Sequence, residues 1–313
     1  MPVTARNMAL GSNFISTIDD DAGTIWNNPA SANKKMHNHF IGSYNNFISD
    51  INGGFGAYVR HFDKIGTFGL SIMYLDYGTF DGYTPSGIST GTFSAQDQCI
   101  NVSYGKQLKN NFRAGANLKY IYSIYESYVS NGLAVDLSAI YEDTANQLLL
   151  TAYTRNLGYQ TIVYNSTERK NLPFEVAFSI SKRLDHLPLR YHLIFQNLQK
   201  PDMRYDITET GLKDEFGNPQ VKQMTMGDNI LRHIALGGEL NLSKHFVLRF
   251  GYNHQKRKEM TQEQKRGVAG FSWGLGFRIK KLHLSYGSAS YFAGFNSNQF
   301  SISANLSEFY SSK

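Results

Sequence analysis

The sequence predicts an all-β chain: a transmembrane, antiparallel β-barrel of about fourteen strands with a short N-terminal plug (hatch) segment. Three observations carry this. Apolar and polar side chains alternate at period two almost throughout from Phe40. The connections between these runs sort into tight turns and longer loops in strict alternation. Tyr and Phe gather near the ends of the runs, where amphipathic rings suit a lipid–water boundary.

The first element does not alternate. Residues 19–35, "DDDAGTIWNNPASANKK", open with Asp19, Asp20 and Asp21 and continue through Trp26, Asn27, Asn28 and Pro29. An Asn-Pro step disfavours helix and favours a turn. A barrel of this size encloses a lumen that wall side chains alone do not fill. The polar backbone of residues 1–37 is therefore expected inside it, as the plug, with the barrel over 38–310. Arg249 and Lys119 are the expected partners of the three aspartates.

The strands follow at 38–48, 51–62, 66–80, 91–107, 112–126, 130–142, 147–157, 173–184, 188–199, 230–243, 246–256, 267–280, 282–292 and 298–310. The clearest alternates Ala269, Phe271, Trp273, Leu275, Phe277 and Ile279 against Gly270, Ser272, Gly274, Gly276 and Arg278, which puts Trp273 toward lipid. Inward positions read as small and polar. Tight turns such as "DKIG", "LKNN" and "LSKH" alternate with longer connections, the longest being 201–229. Tyr74, Tyr77, Phe80, Tyr120, Tyr122, Tyr125, Tyr128, Tyr291, Phe292 and Phe295 are expected in an interfacial girdle, and Phe309 and Tyr310 close the chain.

Composition narrows the classes. No run reaches the length of a transmembrane helix, and a mean hydropathy of −0.37 by itself reads as a soluble chain. A single cysteine, Cys99, excludes an internal disulfide framework and reads as a small strand residue. The net charge of +6 is modest and dispersed, and no nucleic-acid partner is expected.

"DDAGTIWNNPA" is similar to the Asn-Pro-Ala hatch of the FadL-type outer-membrane transporters, fourteen-stranded barrels with an N-terminal plug. The likeness is sharper to the PorQ family of the type IX secretion system, which "TARNMALGSNFIS", "MHNHFIGSYNNF", "INGGFGAYVRHF" and "LRYHLIFQNLQKPDMRYD" resemble in order along nearly the whole chain. That resemblance implies a non-catalytic barrel in the outer membrane of a Gram-negative bacterium. It would hold a PorZ-like surface partner in an attachment complex with PorU and PorV, where cargo is linked to anionic lipopolysaccharide. The wider superfamily implies an alternative, transport of a hydrophobic small molecule. "MPVTARNMALG" carries no signal peptide, so a truncated start is expected, and "EFYSSK" replaces a terminal aromatic.

No catalytic motif, phosphate loop or Cys–His metal spacing is present, so no catalytic residue, metal or cofactor is assigned. His37 and His39 lack a third ligand, and the three aspartates lack the spacing of a calcium loop. Two loops are expected to dock the partner: 201–229, through Arg204, Tyr205, Asp206 and Phe216, and 254–266, through Lys256, Arg257, Lys258, Lys265 and Arg266.

Overall fold

The computed structural model describes residues 1–11, 15–164, 171–204, 207–213, 219–222, 225–260, 267–292 and 295–310. The strands are β1 (His39–Asn46), β2 (Asn52–Phe62), β3 (Gly66–Tyr83), β4 (Ser89–Lys109), β5 (Phe112–Tyr125), β6 (Tyr128–Asp143), β7 (Leu148–Ile162), β8 (Glu175–Arg183), β9 (Leu189–Phe195), β10 (Ile207–Lys213), β11 (Pro219–Lys222), β12 (Ile234–Asn241), β13 (Phe246–Asn253), β14 (Phe271–Ile279), β15 (Leu282–Phe292) and β16 (Phe295–Asn305). All but β10 and β11 form one closed antiparallel barrel, fourteen strands that each fall on a predicted run. Closure comes where β1 pairs with β16, Tyr44 opposite Phe300. β10 and β11 pair with each other as a separate hairpin inside the long 201–229 connection, expected as a loop, and helix α2 (Met226–Arg232) follows, taking up the first residues of the expected strand 230–243.

Alternation becomes a two-sided wall. Leu70, Ile72, Val102, Leu118, Leu133, Phe250, Trp273, Phe300 and Ile302 all point outward and exposed. Water would not tolerate so continuous an apolar belt, whereas acyl chains match it. The belt lies on a closed sheet, which leaves no backbone edge unpaired in lipid; among the described residues no helix is long and apolar enough to cross a membrane. Rings cluster at both ends: Phe62, Phe68 and Phe112 near the short turns, Tyr74, Phe80 and Tyr128 near the longer loops. Three expected girdle residues belong elsewhere. Tyr77 and Tyr125 turn inward and donate to Asp97 at 2.6 and 3.2 Å, and Tyr291 is buried inside beside Met8. The last strand also stops early: Phe309 and Tyr310 lie on a helical turn, α4 (Ser307–Tyr310), beyond β16.

The N-terminal segment lies within the barrel. It folds as helix α1 (Ala5–Ala9) and three short 3-10 turns, 22–26, 29–31 and 34–36. Thr4 caps α1 by accepting the Asn7 amide, and Asp21 caps the first 3-10 turn through Gly23. Ile25, Trp26 and Met36 of this segment meet Ile41, Phe55, Ala57, Val59 and Cys99 of the wall in an apolar core. This part of the lumen is apolar, which corrects the expectation of a uniformly small and polar inner face.

Candidate functional site

The inner wall carries two shallow saddles, and the N-terminal segment rests in both. Gly237, Gly251, Ser272 and Ala289 follow one another across β12 to β15, and Gly274 faces Gly287 one step along. Residues 5–11 sit on this saddle. A Cβ on Gly287 would lie 2.3 Å from the Ala5 carbonyl oxygen, one on Gly274 2.5 Å from the Ala9 Cβ, and one on Gly251 2.3 Å from the Leu10 carbonyl carbon. Backbone approaches the wall this closely only where no side chain stands. Ser272 donates to the Ala9 carbonyl at 3.0 Å, and the Ala5 amide donates to Ser301 at 2.9 Å.

The second saddle is the row Gly105, Gly115, Ser138 across β4 to β6, and it receives the Asn-Pro-Ala turn. Pro29 starts the 3-10 turn of residues 29–31, where its missing N–H costs nothing. A Cβ on Gly115 would lie 2.3 Å from the Pro29 carbonyl carbon and 2.4 Å from the Ala30 nitrogen. Side chains then fasten the turn: the Ala30 amide donates to Ser138 at 2.8 Å, and Arg113 donates to the Ala30 and Ala32 carbonyls at 3.1 and 2.7 Å. Asn117 donates to the Trp26 carbonyl at 2.9 Å, while the Lys119 ammonium lies 5.1 Å from the centre of the Trp26 ring. Asn27 and Asn28 are buried, and Asn28 reaches the Ile15 carbonyl at 3.4 Å.

The aspartates meet different partners from those expected. Arg249 pairs with Glu239 at 2.9 Å, and Lys119 with Asp136 at 2.6 Å. Asp19 and Asp21 pair instead with Arg6 of their own segment, at 2.9 and 3.1 Å. Arg6 also donates to both oxygens of Glu239 at 2.8 Å, so one guanidinium ties α1, the Asp19–Asp21 stretch and β12 together. Burial would raise Asp19, but the Arg6 and Arg190 guanidiniums outweigh it and hold the carboxyl below its usual range. Asp20 has no ion pair among the described residues and borders a cavity of about 380 Å³ at the short-turn end. Sequence reading missed Arg6, Arg113, Asn117 and Glu239. The inward parity of Glu239 in β12 was the available signal, since a lumen-facing acid in a strand needs a cation.

At the long-loop end the predicted partner residues are mostly engaged with their own chain. Arg204 is exposed but paired with Asp202 at 2.7 Å. Lys256, Arg257 and Lys258 fall on helix α3 (His254–Glu259), which packs on α2. Lys258 binds Asp228 at 3.0 Å, and Arg257 donates to the Gly267 and Ala269 carbonyls. Lys256 turns toward the lumen over the Tyr291 ring, 5.5 Å from its centre, and burial pushes its ammonium down to about 8. These three are therefore not free surface charges, contrary to expectation. The two loops do meet, through Asp228 with His254 at 3.1 Å. Tyr205, Asp206, Phe216, Lys265 and Arg266 lie outside the described residues. His37 bonds the His61 carbonyl at 3.1 Å, and no cluster among the described residues suits a metal ion.

No protein-family model matches the chain, and no curated protein matches it. Solved structures do. The chain is similar to the Pseudomonas putida toluene transporter TodX, with a TM-score of 0.61 at 11% identity over 97% of this chain and 99% of that one. A Pseudomonas aeruginosa FadL homologue gives 0.53 at 11% identity, over 97% and 98%. The monoaromatic hydrocarbon channel CymD gives 0.53 at 10%, over 96% of each. The fold is that of a FadL-type barrel. At this identity the likeness speaks to architecture, and the neighbours are channels and transporters rather than enzymes.

Proposed function

We propose that this chain is a non-catalytic outer-membrane barrel, closed by its N-terminal segment acting as a plug, that holds a soluble partner at the cell surface. The observation that carries the reading is the docking of residues 1–37 on two glycine saddles, fastened by Arg6, Arg113, Asn117 and Ser138. A segment seated this way obstructs the lumen, as a plug would. The resemblance to the PorQ family supports the finer assignment: a PorZ-like partner, with PorU and PorV in one attachment complex, and cargo linked to anionic lipopolysaccharide. The long-loop end, with its β10–β11 hairpin and the packed α2–α3 pair, would then face outward and the short turns the periplasm.

The test shortens the long loop. Asp228, Asn229 and Arg232 brace α2, so they must stay: Asn229 bonds Met203 and Pro201, and Asp228 bonds Arg232. Replacing 204–224 with a Gly-Ser turn should leave the barrel folded and heat-modifiable, because surface loops tolerate change. Affinity capture from detergent-solubilised outer membrane should then lose the surface partner. Unchanged capture would reject this docking surface.

Passage of a hydrophobic small molecule is the second reading, and the solved neighbours favour it more directly than the first, since TodX is a toluene transporter. It requires the plug to shift. Uptake of toluene into liposomes bearing the intact barrel, well above uptake into protein-free liposomes, would replace the scaffold reading with this one.

A further inference from the structure

The cavity at the short-turn end has more positive charge than its carboxylates use. Arg6, Arg183, Arg190, Lys244, Arg249 and Arg278 line it against Asp19, Asp20, Asp21 and Glu239. Arg6, Arg190 and Arg249 answer Asp19, Asp21 and Glu239 within this network. Asp20 lies within electrostatic reach of the His39 and His283 imidazoles. Arg183, Lys244 and Arg278 have no carboxylate within ion-pair distance among the described residues.

The strand register sharpens the imbalance. Arg183 stands directly opposite Arg190 on β8 and β9, and Arg278 opposite His283 on β14 and β15. Asp19 and Glu239 answer Arg190, which leaves Arg183 without a carboxylate of its own, and His283 brings no negative charge to Arg278. Arg249 adds a donor: its residue is nine-tenths buried, yet its Nη1 has no hydrogen-bond partner. Gly276 makes room for it, since a Cβ there would lie 2.8 Å from that Nη1. Arg278 is the next inward residue of β14 after Gly276, and both arginines line this cavity.

We propose that this cavity binds the phosphoryl group of a small molecule reaching it from the short-turn side, with Arg249 and Arg278 as its forked donors and Arg183 and Lys244 completing the lining. Planar guanidinium forks match tetrahedral oxyanions, and a phosphate dianion matches the surplus of six cations over four carboxylates. A soluble phosphate and a phosphomonoester lipid headgroup share this chemistry.

The test uses the intact barrel in a phosphate-free detergent, titrated with inorganic phosphate and, separately, with dihexanoyl phosphatidic acid, against chloride at matched ionic strength. Binding is read by 31P line broadening. Arg278→Gln removes an exposed side chain with no ion pair, so the fold should survive, as heat-modifiable migration would show. It should weaken binding about tenfold or more. Gly276→Ala, which displaces Arg249 without changing charge, should do the same. Binding of both probes points to a free phosphoryl ligand, and binding of phosphatidic acid alone to a lipid headgroup. The proposal falls if neither probe binds beyond chloride, or if both variants bind as the parent does.

Discussion

Gly115→Ala isolates the seating of the Asn-Pro-Ala turn. The new methyl would lie 2.3 Å from the Pro29 carbonyl carbon, 2.4 Å from the Ala30 nitrogen and 2.6 Å from the Pro29 oxygen. These are backbone atoms, so no side-chain rotation relieves the clash, and the turn must retreat by about an ångström to reach ordinary contact. That retreat stretches the 2.8 Å Ala30–Ser138 bond and the 3.1 and 2.7 Å bonds from Arg113 beyond useful length. Overpacking costs about 1–3 kcal/mol, and each lost bond from a charged donor about 1.5–3 kcal/mol. With partial relaxation the docking should weaken by roughly 3 kcal/mol, which is on the order of a hundredfold in the seated-to-released ratio. The ladder of β4 and β5 is untouched, so the barrel itself should remain heat-modifiable. The assay is maleimide labelling of Ser31→Cys, a fully buried position, with Cys99 replaced by Ala. Labelling should quicken by about two orders of magnitude in Gly115→Ala and stay at the parent rate in Gly54→Ala, where a Cβ meets nothing within 4 Å. Equal labelling in Gly115→Ala and parent would refute the saddle argument.

Two further outcomes follow from the wall and the loops. Leu275, the central residue of β14, points to lipid, so Leu275→Arg should destabilise the barrel by about 2–4 kcal/mol in a lipid-based unfolding titration. Gly287→Ala, whose new methyl would meet only the Ala5 backbone, should leave that titration nearly unchanged but loosen residues 5–11, detectable as N-terminal proteolysis. Trp273, nearer the loop end, should tolerate Arg better than Leu275 does. Lys256 titrates near 8 in the folded loop and higher when released, so the unfolded loop holds more protons between about 8 and 10.5. Stability of α3 should therefore rise with pH across that window. Hydrogen exchange of residues 254–260, corrected for intrinsic rate, should show the rise, and Lys256→Met should abolish it.

Period-two alternation and the lengths of turns are local properties, written within a few residues of one another. For that reason the fourteen strands and the outward-facing Trp273 are legible in the amino-acid sequence alone. The polar N-terminal stretch is also readable as a segment apart from the sheet. Its contacts are not. Arg6 and Glu239 stand 233 residues apart, and only closure of the barrel brings β12 to α1. The inward glycines show the limit most clearly. In the sequence Gly105, Gly115, Gly251, Gly274 and Gly287 are small residues on a polar face. In space they are where another stretch of backbone lies within van der Waals contact, and a one-dimensional pattern carries no record of that approach. The same holds for Lys256, a loop-tip charge by composition whose partial burial depends on where α3 folds back over Tyr291. Charge and polarity belong to a residue, whereas desolvation and pairing belong to its surroundings, and those exist only once the barrel has closed around the segment inside it.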